Sequence, residues 1–195
     1  MTRTLLVTSA LPYANGSIHL GHMVEHIQTD IFVRFQKLIG NTCHYLCADD
    51  THGTAIMLSA QKQNKTPEQY IDAIHTEHLA DFTDFGIKYD LYYSTHSPEN
   101  DRLSKDIFNK ATEQNAIKKE RIKQYFCDQS GLFLSDRTIQ GTCPKCKAEN
   151  QYGDACEQCY ATYNATQLID PISVYSKKPP VLKESDHYFF TLSKF

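Results

Sequence analysis

Two histidines near the start of the chain, His19 and His22, stand where a loop runs into a predicted helix. The loop follows a short apolar run, Thr4 to Ala10, that is typical of a buried strand. A helix beginning here would present its free N–H groups and the positive end of its dipole to an anion. Because both imidazoles can donate hydrogen bonds to phosphate oxygens, the segment from Pro12 to His22 is predicted to bind phosphate groups.

Turn residues fill the same segment. Asn15-Gly16 is a strong turn signal, and Gly21 removes a side chain where a base or a ribose could approach the backbone. The spacing matches neither G-x-G-x-x-G nor G-x-x-x-x-G-K-[ST], so it indicates neither the common dinucleotide fold nor a P-loop. Two other interpretations stay open here. The histidines are ordinary polar residues at a helix start, or the H-x-x-E-H pattern from His22 to His26 is that of a zinc protease.

Helical and strand periodicity alternate through the first part of the chain. Gly40 is predicted to end the first helix, and Thr66 begins a capping box with Pro67 at the first helical position. The predicted strands are Thr4–Ala10, Thr42–Ala48 and Leu91–Ser94, and the predicted core-facing helix residues are Val24, Ile27, Ile31, Phe35 and Leu38, then Ile71, Ile74, Leu79, Phe82 and Phe85. This alternation predicts an α/β fold with a mainly parallel sheet and helices on both of its faces.

Two aspartates, Asp49 and Asp50, follow the second predicted strand. In open parallel sheets ligands bind beyond the carboxyl ends of the strands, so Asp50 is predicted to face the same crevice as the phosphate loop. A carboxylate in this place is suited to a cationic group. The alternative is that one of the pair caps the following helix, and Asp49 is the better candidate for that role.

Four cysteines form a C-x₂-C-x₉-C-x₂-C array in the second half of the chain. Four thiolates at this spacing predict a closed tetrahedral Zn²⁺ site, which is structural because no position is left for water. We expect one Zn²⁺ per chain, with Gly141 and Gly153 as turn residues. The proposed ligands are Cys143, Cys146, Cys156 and Cys159. Taken alone, the array also fits a nucleic-acid-binding zinc ribbon, although basic and acidic side chains are mixed around it.

Composition limits the class of protein. The 195 residues have 41% hydrophobic residues and a net charge of −3, which is ordinary for a globular protein and gives no general basic field for nucleic acid. The apolar start is too short for a signal peptide, and no stretch is long enough for a membrane span. Cysteines in C-x-x-C pairs favour metal over disulfides in a reducing compartment. We therefore expect a cytoplasmic protein without membrane partners.

The order P-Y-A-N-G-x-x-H-x-G-H at residues 12–22 resembles the HIGH signature of class I aminoacyl-tRNA synthetases. The wider sequence is similar to methionyl-tRNA synthetases, including C-A-D-D-T-H-G-T from Cys47, T-H-S-P-E-N from Thr95 and the cysteine segment 141–163. The resemblance covers essentially the whole chain. It implies a Rossmann-like catalytic domain at residues 1–115 and part of a connective insertion at 116–195, with a zinc knuckle at 141–163.

The resemblance also implies an activity and the residues that perform it. Methionine would be activated with ATP, accompanied by Mg²⁺, and transferred to tRNA(Met). The implied ATP-binding residues are Pro12, Asn15, Gly16, His19, Gly21 and His22, with His19 and His22 catalytic, and the implied methionine-binding residues are Leu11, Tyr13 and Asp50. The family's second signature, a Lys-Met-Ser-Lys-Ser-like loop, does not occur in the sequence, nor does an anticodon-binding domain. We expect an N-terminal fragment that is inactive or weak alone.

Overall fold

The computed structural model describes residues 2–195. The chain divides into two compact units, residues 1–107 and 108–195. No helix in the described part of the chain is long and apolar enough to cross a membrane.

The first unit is built on a three-stranded parallel sheet in the order β1-β2-β3. Its strands are β1 (Thr4–Thr8), β2 (Thr42–Asp49) and β3 (Leu91–Ser94), and its helices are α1 (Leu20–Leu38), α2 (Thr54–Lys62), α3 (Pro67–Asp84) and the start of α4 (Pro98–Glu113). The predicted α/β fold with a parallel sheet is confirmed. Because β1 and β2 are parallel neighbours, the segments that follow them emerge at the same edge of the sheet.

The predicted helix ends are confirmed where local chemistry sets them. Gly40 directly follows Ile39, the C-cap residue of α1. It has a φ of +89°, a left-handed conformation that glycine adopts without strain. At the start of α3, the Thr66 hydroxyl accepts from the Gln69 amide, and the Gln69 side chain accepts from the Thr66 amide. Pro67 occupies the first helical position, where its missing N–H costs nothing.

Most of the predicted apolar stripe of α1 faces solvent, so the prediction of its buried face is wrong except at Ile27, which packs against the core cluster that contains Met23 and Val33. Val24, Ile31, Phe35 and Leu38 are 54–84% exposed. The buried residues of this helix are Met23, His26, Asp30 and Val33. Polar groups can occupy this face because they are paired: His26 bonds the Tyr89 hydroxyl, and Asp30 bonds Arg34 and the Lys88 amide.

Helices α1 and α3 cover the same face of the sheet, in contrast to the predicted helices on both faces. Met23 and Val33 of α1 pack with Phe82 of α3 against Cys43 and Tyr45 of β2. On the opposite face His44 and Leu6 are exposed. Helix α2 instead packs on α3, where a second cluster is formed by Ala14, Ile56, Ala60, Tyr70, Ile71 and Ile74.

The second unit contains two antiparallel sheets of three strands each. In the first, the long strand β4 (Ile117–Cys127) lies between β5 (Leu132–Phe133) and β9 (Val181–Phe190). In the second, β6 (Ile139–Thr142) lies between β7 (Gln151–Tyr152) and β8 (Ile169–Ser173). The cysteines of the array lie in the segments before and after β7, between β6 and β8 in the sequence. The division between units falls within α4, and the predicted domain boundary at 115 stays a prediction.

Candidate functional site

The chain leaving β1 lies alongside the residue that follows β2. The Asp50 amide donates to the Pro12 carbonyl at 2.9 Å, and the Ala14 amide donates to the Asp50 carbonyl at 2.8 Å. These bonds extend the parallel pairing so that Tyr13 and Asp50 are directly bridged. The structure therefore brings together two of the three residues predicted for methionine. The third, Leu11, is 43% exposed on the same segment, and the Asp50 side chain is also exposed.

Tyr13 is half-buried and packs against the core cluster of α2 and α3. Its hydroxyl oxygen lies 2.6 Å from the position that a Cβ atom on Gly53 would occupy. Gly53 has a φ of +119°, which only glycine adopts readily, so this residue both turns the chain and makes room for the phenol. Burial, followed by the negative charge of Asp50, raises the pKa of Tyr13, so the phenol stays neutral.

His19 and His22 close the N-terminus of α1 with reciprocal hydrogen bonds. The Gly21 amide donates to Nδ1 of His19 at 3.1 Å, and the His19 amide donates to Nδ1 of His22 at 3.3 Å. The two rings stack with centroids 3.8 Å apart and planes 17° from parallel. The prediction that both histidines stand in the first helical turn is thereby met, with His19 as the N-cap.

These caps fix the tautomer of each ring. A Nδ1 atom that accepts an amide proton carries no proton itself, so the remaining proton lies on Nε2. Burial, followed by the repulsion that a charged His19 would exert, lowers the pKa of His22 and favours its neutral form. His19 and His22 each therefore retain one N–H donor, at Nε2, which can bond a phosphate oxygen.

The glycines of the loop differ in their reason for being glycine. A Cβ atom on Gly21 would lie 3.0 Å from the His19 ring, so glycine lets that ring fold onto the helix start. Gly16 has open space around it and no positive φ, so no steric demand for glycine exists at that residue. The predicted tight turn is instead held by bonds to carbonyl oxygens. Asn15 O accepts from the Tyr70 hydroxyl at 2.9 Å and from the Ser59 hydroxyl at 3.4 Å.

Asp49 does not cap a helix, contrary to the prediction. It is fully buried at the end of β2, and α2 begins after Gly53 without a side-chain cap. Its Oδ1 accepts from His78 at 2.7 Å and from the Tyr92 hydroxyl at 2.5 Å, and its Oδ2 accepts from His75 at 2.6 Å. Burial raises the pKa of this carboxyl, but these three donors outweigh burial and the net pKa is lowered.

The same network reaches the phosphate loop, which the sequence did not reveal. His78 uses Nδ1 for Asp49 and Nε2 for the carbonyl oxygen of Gly16, at 2.9 Å. One signal could have found it. His78 falls on the apolar stripe of α3 between Ile74 and Phe82, and a polar residue at such a position needs a buried partner. Leu79 and Phe85, which were predicted for this stripe, are 40% and 59% exposed.

The H-x-x-E-H pattern does not assemble a metal site. His26 is 1% exposed and bonds Tyr89, while a Glu25 carboxylate oxygen accepts from the Ala10 amide at 2.5 Å. Among residues 2–195, the four cysteines of the array form the one group of at least three His, Cys, Asp or Glu side chains that could share a metal ion. The zinc-protease interpretation therefore has no support in the geometry.

The four predicted cysteine ligands converge. Their sulfur atoms all lie within 4.8 Å of one another, with Cys143 and Cys159 at 3.9 Å and Cys146 and Cys156 at 3.6 Å. A tetrahedral ion with Zn–S bonds of about 2.3 Å requires sulfur–sulfur edges of about 3.8 Å. The cluster is thus compatible with zinc, and Cys143 and Cys156 are buried.

Two similar turns deliver these cysteines. In the first, the Cys143 amide donates to Ala148 O and the Lys147 amide donates to Cys143 O; in the second, Cys156 and Tyr160 repeat the pattern with Ala161. The turning residues are Lys147 and Tyr160, with φ of +66° and +57°. Gly141, one of the two predicted turn glycines, lies within β6 instead. A Cβ on Gly141 would lie 2.8 Å from Ile169 O, so glycine there permits close strand approach.

The chain combines a parallel sheet, a helix start capped by histidines and a unit that carries four converging cysteines. These features agree with the class I aminoacyl-tRNA synthetases that the sequence resembles. A family model described as tRNA synthetases class I (M) matches residues 5–195. The chain belongs to this family.

Individual relatives narrow the likeness further. The methionine–tRNA ligase of Neisseria meningitidis serogroup C (strain 053442) is 60% identical over 194 residues, which is 100% of this chain and 28% of that protein. The methionine–tRNA ligase of Neisseria gonorrhoeae (strain ATCC 700825 / FA 1090) is 58% identical over the same shares. A Mycobacterium tuberculosis methionyl-tRNA synthetase in complex with methionyl-adenylate has a TM-score of 0.68 at 19% identity, and the match covers 99% of this chain and 33% of that one. The chain therefore spans less than a third of the length of the curated relatives it matches, and the structural likeness supports the fold.

Proposed function

We propose that the chain supplies the methionine side and one phosphate side of the active site of a methionine–tRNA ligase. Such an enzyme joins methionine to ATP as methionyl-adenylate, releases pyrophosphate, and transfers methionine to tRNA(Met) for protein synthesis, including initiation. The observation that carries the proposal is the convergence of Tyr13, Asp50 and the His19–His22 cap at one edge of the sheet. Identity of 58–60% over the whole of this chain to methionine–tRNA ligases supports the choice of amino acid.

The methionine side rests on charge and shape. Asp50 holds an exposed carboxylate at the carboxyl end of β2, where it can pair with the ammonium group of an amino acid. Tyr13, fixed beside it by the backbone bridge, supplies apolar ring surface. Leu11 adds a further apolar side chain on the same segment. Apolar surface is the right recognition for a thioether, because its sulfur offers little hydrogen bonding.

The phosphate side rests on the tautomers of the cap. A carboxylate is already a nucleophile, so attack of methionine on the α-phosphorus of ATP needs positioning and charge stabilisation more than acid–base catalysis. His19 and His22 each direct an Nε2–H outward, and α1 adds the positive end of its dipole. Pro12, Asn15, Gly16 and Gly21 form the loop that holds these donors in place, and they are the proposed ATP-binding backbone.

Metals would have separate roles in this protein. Cys143, Cys146, Cys156 and Cys159 would hold a structural Zn²⁺, because four sulfur ligands leave no open position for catalysis. Mg²⁺ would enter with ATP and be held mainly by phosphates and water. An enzyme that charges tRNA for protein synthesis would act in the cytoplasm.

The test is ATP–pyrophosphate exchange with a panel of amino acids. It is run on the 195-residue chain and on a hybrid in which this sequence replaces the matching residues of the Neisseria meningitidis ligase. The unaltered Neisseria ligase is the control for intact assay conditions. We expect the hybrid to exchange in the presence of methionine, and the Asp50→Asn form to raise the KM for methionine without a comparable change in the KM for ATP.

Two results would overturn the proposal. Exchange by the folded hybrid with a different amino acid and not with methionine would refute the substrate. No exchange with any amino acid, while the Neisseria ligase is active and the hybrid retains its circular dichroism spectrum, would refute the activity of this sequence.

A further inference from the structure

His78 has no assigned role in the proposed chemistry, yet it is the side chain that joins the core to the phosphate loop. Its side chain is 1% exposed, and both ring nitrogens are bonded. Nδ1 lies 2.7 Å from Asp49 Oδ1, and Nε2 lies 2.9 Å from the carbonyl oxygen of Gly16. A carbonyl oxygen only accepts, and so does an ionised carboxylate. Both ring nitrogens must therefore donate, and a ring with two N–H donors is an imidazolium cation.

The Asp49 side chain is arranged for this charge. It is 0% exposed and is further bonded by Tyr92 and His75, so a carboxylate can be stabilised there without water. The pair thus consists of opposite charges in direct contact inside the unit. Burial lowers the pKa of His78, but the bonds to Asp49 and Gly16 outweigh burial and raise it on balance, in agreement with the geometry.

We propose that His78 is a positioning residue of the ATP site: as a buried imidazolium held by Asp49, it clamps the Gly16 carbonyl and places a fixed positive charge behind the phosphate loop. This inference rests on the proposed function. Gly16 lies three residues before the His19 cap, so its carbonyl, held by His78, is a fixed point of the loop shortly before the two proposed phosphate donors. A cation at that point favours phosphate and disfavours protonation of His22, whose pKa the charge of His78 helps to lower.

Titratable groups on several elements surround the His78–Asp49 pair, and they set its pH response. These groups are Asp49 on β2, Tyr92 on β3, His75 and Glu77 on α3, and His22 and His26 on α1. Asp49 and Glu77 favour the cation, while charge on His22 or His26 would oppose it. Because the pKa of His78 is raised above its usual value of about 6.5, the clamp is complete below that pH and is lost as pH rises through the raised pKa.

Two substitutions separate the two bonds of this ring. His78→Asn keeps a donor near the Nδ1 position and so can still meet Asp49, but it cannot reach Gly16. His78→Gln keeps a donor near the Nε2 position and can still donate a hydrogen bond to the Gly16 carbonyl. Neither variant can carry the positive charge of an imidazolium. His75→Asn is the matched control, because His75 bonds the same carboxylate from the same helix and does not contact the loop.

The first measurement uses nuclear magnetic resonance of the full 195-residue chain. We expect ring ¹⁵N shifts of an imidazolium for His78 at neutral pH, and a backbone amide of Ser17 that titrates with His78, since Ser17 shares its peptide group with the Gly16 carbonyl. The Ser17 amide should shift in His78→Asn and stay near its original position in His78→Gln and His75→Asn. A neutral His78, or a Ser17 amide that ignores it, overturns the inference.

The second measurement is methionine-dependent exchange by the hybrid. We expect His78→Asn to lower kcat about tenfold to a hundredfold, with the KM for methionine changed less than about twofold, because misplacing a reacting group acts on the chemical step. His78→Gln should retain more activity. In the unsubstituted hybrid kcat should decline as pH rises and the clamp is lost, and both variants should lack this decline. Equal losses in His75→Asn, or a larger loss in His78→Gln than in His78→Asn, would make the network merely structural. Absence of exchange in the unsubstituted hybrid would refute the proposed function alone, and the resonance experiment would still decide the role of His78.

Discussion

Replacing Gly53 by alanine should damage the fold and the proposed methionine site together. The residue has a φ of +119° and a ψ of 166°, a region that is essentially restricted to glycine. Forcing alanine into it costs about 1–3 kcal/mol, against which the less flexible unfolded chain returns about 0.4–1 kcal/mol. The expected net loss is about 1–2 kcal/mol in the free energy of unfolding of the first unit.

The new methyl group also meets Tyr13. Its Cβ would lie 2.6 Å from the Tyr13 hydroxyl oxygen, which is closer than carbon and oxygen can approach. The phenol is the end of a flexible side chain, so it moves and takes the proposed methionine surface with it. We therefore expect the KM for methionine in exchange by the hybrid to rise about tenfold, the scale of a lost contact in an apolar pocket.

Gly40→Ala is the matched control. Gly40 has a φ of +89° and open space where a Cβ would stand, so alanine there brings strain without a collision. Urea unfolding followed by the helical circular dichroism signal measures both variants, since the chain has no tryptophan and its longest helices belong to the first unit. Both variants should be less stable, and only Gly53→Ala should weaken methionine use. Unchanged stability and unchanged KM in Gly53→Ala would refute both the backbone geometry and the placement of Tyr13.

Three shorter predictions concern the histidines and the cysteines. His22→Ala should lower exchange by the hybrid about 10²–10³-fold with the circular dichroism spectrum retained, since it removes one phosphate donor; a change of only a few-fold would contradict that role. Cys146→Ser should reduce bound zinc, measured by atomic absorption after dialysis, well below one ion per chain, whereas Cys43→Ser, outside the cluster, should leave zinc content unchanged. Burial lowers the pKa of His26, so its neutral form stabilises the fold above about pH 6.5, and that contribution is lost as pH falls through the lowered pKa. His26→Gln should therefore flatten the loss of stability in acid. Parallel profiles of stability against pH for the two proteins would refute this.

Local chemistry made several features predictable from sequence. Capping residues act on backbone groups within a few positions, so the box at Thr66 and the left-handed Gly40 could be assigned without knowledge of the fold. The metal-ligand role of the cysteines was predictable for the same reason, because each C-x-x-C pair forms one turn of chain that brings its two sulfur atoms together. The edge of the sheet where Tyr13 meets Asp50 followed from strand order alone.

Features that depend on distant partners were not predictable in this way. The periodicity of α1 showed that the helix has an apolar stripe but could not show what covers it, and the buried face proved to be the one with paired polar residues. The role of Asp49 depends on residues 26 to 43 positions away in sequence, so the sequence alone left it as a helix cap. A histidine on the apolar stripe of α3 was the available clue to that network.

The cap at the start of α1 allows His19 and His22 to be ordinary helix-start residues and the proposed phosphate donors at the same time. A histidine that caps a helix must accept at Nδ1, and this is what leaves its proton on Nε2. Capping by His19 and His22 therefore leaves the Nε2–H donor that the proposed phosphate binding would use, and the stacking of the rings keeps both N–H groups in fixed directions. Asparagine or serine would cap the helix equally well, but neither would extend a donor beyond the first turn. The structural role and the proposed functional role of the two residues are consequences of the same hydrogen bonds, so a substitution that restores only the cap should recover stability without recovering exchange.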